Sequence, residues 1–214
     1  TDKKYLCLAG GVALNCVANG KLLRSGIFED IFIQPAAGDA GGALGCAYIA
    51  WYQHLDNRRI TDGKTDFMNG AYLGPDFSNA QIKRYLDEKG YESKKLSDDE
   101  LPEKIADLIN EQNVIGWFQG RMELGPRALG NRSILCDPRI KNLKDLLNLK
   151  IKRRESFRPF APAILKEYMN DWFDDNFDSP YMMQVVPIKK NKLNIVPAIV
   201  HVDGTCRVQT VTNK

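Results

Sequence analysis

Tyr5-Leu6-Cys7-Leu8-Ala9-Gly10-Gly11 and Ile31-Phe32-Ile33-Gln34-Pro35-Ala36-Ala37-Gly38-Asp39-Ala40-Gly41-Gly42 repeat one arrangement. Each begins with a short apolar run, ends in paired glycines and leads into a helical pattern. The runs are too short for buried helices and are bounded by turn residues, so both read as buried strands. A helix is predicted from about Val12 to Leu23, closed near Gly26, and another from Ala43 to about His54. Strand, helix, strand and helix in that order predict an α/β fold on a parallel sheet.

Further along, the pattern changes. Residues 55–77 are polar, with Asp56-Asn57-Arg58-Arg59, Asp62-Gly63 and Gly74-Pro75. The predicted organisation is a first unit over 1–56, a linker over 57–77 and a second, mixed α+β unit over 78–214. An ordered surface loop is the alternative to the linker. Ser78 suits an N-cap for a helix to about Lys89. Leu101–Glu111 reads as a helix and Val114–Phe118 as a strand. Leu143, Leu146, Leu147 and Ile151 share one face of a further helix. From Ser179 on, β-branched residues predict strands and turns.

Hydrophobic residues make up 43% and charged residues 27% of 214, which suits a water-soluble globular protein. No apolar run approaches the ~20 residues that span a bilayer. No signal-peptide pattern is present, so no membrane partner and a cytoplasmic location are expected. Both ends look cut, and the chain reads as a fragment. The five cysteines are odd in number and form no CxxC pair, which predicts buried reduced thiols. Residues 120–160 hold eleven Lys or Arg against four Asp or Glu. That local +7 in a chain of net +3 leaves −4 for the remainder, and points to an anionic ligand held by this segment.

The glycine corners suit phosphate binding. Glycine lets backbone approach a phosphate, and a following helix presents free N–H groups with a positive dipole end. Gly10 and Gly11 precede one helix, with Asn15 and Asn19 expected on its same face. Gly38 and Gly41 flank Asp39, a candidate ligand for a metal that bridges phosphate oxygens. The alternatives stay open: Gly10-Gly11 as a tight turn, and Asp39 as a helix cap. Neither corner matches GxxxxGK[ST] or GxGxxG.

The stretch Gly120-Arg121-Met122-Glu123-Leu124-Gly125-Pro126-Arg127-Ala128-Leu129-Gly130-Asn131-Arg132-Ser133-Ile134-Leu135 sets three arginines among loop-forming residues. Guanidinium offers fixed, planar, bidentate donors and keeps its charge when partly buried. Glu123 is expected to orient one arginine through a salt bridge. A second basic cluster, Lys152-Arg153-Arg154-Glu155-Ser156-Phe157-Arg158-Pro159-Phe160-Ala161-Pro162, places Arg158 between aromatics and before a proline. A phosphorylated small molecule, a nucleic acid and a solvated face are the competing readings. The absence of an RNP-type aromatic pattern and the local character of the basic excess count against nucleic acid.

Taken in order, these segments resemble the NodU/CmcH carbamoyltransferase family. Leu8–Cys16 and Gln34–Gly45 are similar to its nucleotide and metal segments. Gly120–Leu135 and Lys152–Pro162 are similar to its YrdC-like domain. Ile199-Val200-His201-Val202-Asp203-Gly204-Thr205-Cys206-Arg207 resembles its HVDGTAR segment, with Cys206 in place of alanine. The resemblance implies the end of an actin-like ATPase domain, a fold shared with tRNA threonylcarbamoyl transferases, followed by an incomplete YrdC-like α/β domain. It further implies that Gly10, Gly11 and Asn15 belong to a nucleotide site. Asp39 would be one ligand of an iron centre, whose two histidine ligands lie on an upstream helix not present here. Neither His54 nor His201 forms an HxxxH pair, and His54 is expected at a helix end on the surface.

The implied reaction joins carbamoyl phosphate and ATP, with its Mg, into carbamoyl adenylate. The carbamoyl group then passes to a hydroxyl of a sugar or natural-product acceptor. Arg121, Arg127, Arg132 and Arg158 are the expected anion-holding residues, with Ser133 as a hydroxyl donor. His201 is expected to donate to a phosphate or carry a proton, or else to be a packed strand histidine. Two other readings stand beside this one. A tRNA threonylcarbamoyl-transfer protein would need a strongly basic face, and a non-catalytic anion-binding module would turn over no ATP.

Overall fold

The computed structural model describes residues 2–212, so Thr1, Asn213 and Lys214, at the outer edges of the two expected units, lie outside the described residues. β1 (Tyr5–Leu8) is followed by a single 3₁₀ turn over Gly11–Leu14. The helix expected from Val12 begins only at α1 (Cys16–Arg24), because Asn15 interrupts it. The Asn15 side chain accepts the Ala18 N–H at 3.1 Å and caps α1. β2 (Asp30–Ile33) pairs in parallel with β1, Tyr5 opposite Asp30 and Leu8 opposite Ile33, as the βαβ order predicts. α2 (Asp39–Ile49) starts four residues before the predicted Ala43 and continues as a π-helical turn to an exposed His54.

Gly41 allows α2 to start there. A Cβ on Gly41 would lie 2.0 Å from the Ala36 carbonyl oxygen, so only glycine lets the helix close onto the Pro35–Ala37 turn. The stretch expected as a linker is exposed through residues 58–67 but built in at its end. Leu124 N–H donates to Ala71 O at 2.7 Å, Met122 N–H to Pro75 O at 3.0 Å, and Gly74 N–H to Met122 O at 2.9 Å.

α3 (Asn79–Lys89) carries a full capping box from Ser78 and Gln81. α4 (Glu100–Asn110) leads into β3 (Ile115–Phe118), which pairs antiparallel with β4 (Arg132–Leu135), Trp117 opposite Ser133. α5 (Leu143–Leu147) passes into a π turn over Asn148–Lys152. Leu143 and Leu147 are buried as expected, whereas Leu146 and Ile151 are exposed. The extra residue in a π turn rotates Ile151 away from the apolar face.

The last third holds β5 (Ala163–Leu165), α6 (Met169–Trp172), β6 (Val186–Pro187), β7 (Thr205–Cys206) and β8 (Gln209–Val211). β5 pairs in parallel with β8, and β6 antiparallel with β7. The main core lies here, from Met169 and Phe173 through Val186 and Ile188 to Cys206 and Val208.

Tyr181 and Met183 leave this unit and pack with Ala13, Ile31, Ile33 and Ala37 of the first. Arg24 Nη1 donates to Val185 O at 2.7 Å and Val185 N–H to Cys16 O at 3.2 Å. Buried Asn19 donates to Ala13 O and Met183 O, a cross-link and not the exposed partner of Asn15 that an unbroken helix implied. The thiols are all free, but only Cys206 is buried. Cys7 and Cys46 are exposed because β1 and α2 each leave one face open.

Candidate anion-binding site

The glycine corners and the arginine loop, far apart in sequence, meet in space. Gly125, at φ +120°, sits against the Pro35–Ala36 turn, and a Cβ there would come within 3.3 Å of Ala36. Arg127 Nη2 donates to Leu14 O at 3.1 Å, tying the loop to the turn that follows Gly10-Gly11. Gly10 has φ +90°, a conformation that favours glycine, and Gly10, Gly11 and Asn15 are exposed. Asn15 Oδ1 is used as the α1 cap.

Glu123 holds the loop together, although not through an arginine. Its Oε1 accepts the backbone N–H of Leu129 at 2.7 Å, of Asn131 at 2.8 Å and of Arg132 at 3.2 Å. Burial opposes the charge, but these donors outweigh it and hold the carboxyl below its ordinary value. The expected salt bridge does not form, because the glycines let three main-chain N–H groups converge first. Leu129 O in turn accepts from Tyr72 OH at 3.0 Å and from Gln209 Nε2 at 2.9 Å.

The four expected arginines separate. Only Arg127 is drawn inward. Arg121 is exposed and donates to Gly74 O at 3.1 Å. Arg132 lies exposed at the start of β4, next to half-buried Ser133. Arg158 is exposed and pairs with Glu155 at 2.9 Å, so the flanking aromatics do not bury it. Two arginines outside that expectation take the inner places. Arg154 stacks on Phe160 at 5.2 Å and donates to buried Asn148 at 2.7 Å. Arg207 is held mainly by burial, then by Arg127 and Arg154, below the ordinary guanidinium value, with Cys16 opposing. The Nε atoms of both Arg127 and Arg207 are buried without a hydrogen-bond partner.

Buried guanidinium donors that crowd one another and face no carboxylate are costly unless an anion completes them. The sequence carried signals for both missed residues. Phe160 follows Arg154 within stacking reach, and Arg207 alternates with buried Cys206 and Val208.

His201 lies in a turn and not a strand. Its N–H donates to Thr205 O at 2.8 Å, and the Gly204 N–H donates to His201 O at 3.0 Å. Asp39 is exposed in the first turn of α2, with Gly38 as N-cap. Among the described residues no three His, Cys, Asp or Glu side chains gather as a metal site, and Asp39 belongs to no such cluster.

The geometry defines a class: an α/β protein in which a glycine-rich helix corner abuts a loop that turns one half-buried arginine, Arg127, towards it. Family models for the carbamoyltransferase C-terminus and N-terminus match residues 106–214 and 1–48. The chain belongs to the carbamoyltransferase family. An uncharacterised protein of Synechocystis sp. is 51% identical over 96% of this chain and 37% of its own length. Nodulation protein NolNO of Sinorhizobium fredii is 47% identical over 99% of the chain and 31% of its own length. Nodulation protein NolO of Bradyrhizobium diazoefficiens is 47% identical over 100% and 39%. The chain thus spans about a third of the length of these relatives. Among the described residues no helix is long and apolar enough to cross a membrane.

Proposed function

We propose that this chain forms the carbamoyl-activating part of an ATP-dependent O-carbamoyltransferase, with Arg127, Arg154 and Arg207 holding the phosphate groups of carbamoyl phosphate and ATP. The observation that carries this reading is the pair of buried, partnerless Nε atoms on Arg127 and Arg207. Fixed guanidinium groups stabilise charge on a phosphorus centre without reorganising. Arg121, Arg132 and Arg158 stand exposed and serve the outer part of a long polyanion such as the nucleotide tail.

The chemistry balances in three steps. Carbamoyl phosphate loses its phosphate to water. The carbamate oxygen so released attacks the α-phosphorus of ATP, and the bond to pyrophosphate breaks. The resulting carbamoyl adenylate gives its carbamoyl group to an acceptor hydroxyl and releases AMP. Gly10, Gly11, Gly38 and Gly41 lie at the two corners that adjoin the arginine loop and are the residues we assign to the nucleotide. Asp39 alone does not make a metal centre. An iron or another divalent ion would need ligands beyond the described residues, and no step above depends on it.

The test is ATP–pyrophosphate exchange by the full-length protein, with and without carbamoyl phosphate. Exchange that requires carbamoyl phosphate is the expected result. Its absence in folded protein would overturn the reading and favour a binding module.

A further inference from the structure

His201 is bonded in a way that fixes which of its nitrogens carries the proton. Thr205 Oγ1 lies 2.7 Å from Asp203 Oδ1 and 3.2 Å from His201 Nδ1. The Thr205 hydroxyl bond, ahead of opposing burial, keeps the Asp203 carboxyl below its ordinary value, so Asp203 has no proton to give. Thr205 has one proton, and it goes to Asp203. Nδ1 must therefore be the donor to Thr205, and in a neutral imidazole Nε2 is then the lone-pair acceptor. Burial lowers the His201 pKa. Asp203 opposes that, while Arg207, just after β7, and Lys144 from α5 add to it, so the ring is neutral at neutral pH.

The ring also lies near the arginines. The charge of Arg207 acts on His201, and the charges of Arg127 and Arg154 act on Arg207. Gln209, two residues beyond Arg207, donates from Nε2 to Leu129 O in the arginine loop. His201, bonded to Thr205, thus lies beside the segment that carries Arg207 and reaches the loop of Arg127. Guanidinium groups are donors only and offer nothing to a ligand's own N–H. A neutral Nε2 supplies that acceptor, and it does not suit donation to a phosphate.

We propose that His201 is a specificity-determining residue that accepts a hydrogen bond from the carbamoyl –NH₂ while the arginines hold the phosphate. Thr205 and Asp203 are positioning residues that set its tautomer. This rests on the carbamoyl phosphate reading given above. Acetyl phosphate is the discriminating probe, since it has the same anionic end and a methyl group in place of the amide.

The experiment is calorimetric titration of the full-length protein with carbamoyl phosphate, acetyl phosphate and inorganic phosphate, for wild type, His201→Ala and His201→Gln. Wild type is expected to prefer carbamoyl over acetyl phosphate by about tenfold or more. His201→Ala should lose that preference and keep its affinity for acetyl phosphate and inorganic phosphate. His201→Gln, whose amide oxygen also accepts, should retain part of it. Equal weakening toward all three ligands would make His201 a phosphate or structural residue and overturn the proposal. Unchanged discrimination would overturn it as well. If wild type binds none of the three, the carbamoyl donor reading itself falls; if it binds all three without preference, only the role of His201 does.

Discussion

Arg207 separates function from stability at a single residue. It is half-buried near Arg127 and Arg154, and its buried Nε has no hydrogen-bond partner. A buried cation with cationic neighbours opposes folding until an anion arrives. Replacing it with methionine, similar in length and uncharged, is therefore expected to raise the melting temperature of the ligand-free protein by about 2–4 °C. The same change should lower carbamoyl-phosphate-dependent pyrophosphate exchange by about 10- to 100-fold, the loss of a charged hydrogen bond. Thermal melts and exchange assays on one preparation check both. A clear fall in melting temperature would mark Arg207 as a structural arginine. Arg154 and Arg207 left only faint local signals in the sequence, a nearby Phe160 and the apolar neighbours Cys206 and Val208, and these do not separate an inward arginine from the many solvated ones nearby. Arg158 stays exposed between its two aromatics, since flanking aromatics do not guarantee burial and Phe157 is itself 69% exposed.

As an element, the arginine loop depends on Glu123. Glu123→Ala leaves the N–H groups of Leu129, Asn131 and Arg132 without their acceptor and should destabilise the protein by about 1–3 kcal/mol in urea unfolding. Glu123→Gln keeps a carbonyl oxygen in place and should recover much of that. The pH dependence follows from the sign of the shift. The folded-state carboxyl lies below its ordinary value of 4.5, so its contribution is fully present above that value. It is lost as pH falls below 4.5 through the folded pKa. The acid limb of wild-type stability should flatten in Glu123→Gln, and an identical limb would remove Glu123 from its cause. The loop's glycine content was readable in sequence as a scaffold. That the scaffold converges on Glu123 was not, since a carboxylate amid arginines suggests ion pairing more readily than main-chain capture.

The whole molecule exposes 14938 Å². A globular chain of 24.1 kDa is expected to expose about 10,000 Å². Much of the excess lies on α2 and its π turn, where Tyr48, Ile49, Trp51 and Leu55 are open, and on α3 and α4, which bury no residue. An eleven-residue helix without a buried face is marginal in water. Hydrogen exchange of this chain should therefore be fastest over α2, α3 and α4 and slowest around Met169, Val186, Cys206 and Val208. Core-like protection of α3 would contradict the burial pattern.

The sequence by itself determined the local design. The strand–glycine–helix corners, the Ser78 capping box and the concentration of arginines among glycines all follow from short-range rules of spacing, capping and backbone freedom. They were enough to indicate an α/β protein with an anion site and to carry a family resemblance. Only the tertiary structure decided which groups make that site. It brought Gly125 onto Ala36 and Arg127 to Leu14 O, drew in Arg154 and Arg207, and linked His201 to Asp203 through the Thr205 hydroxyl. The reason is that burial and charge neighbourhood are properties of packing between distant segments. The same arginine is a solvated surface cation or an inward, partnerless one according to what folds over it.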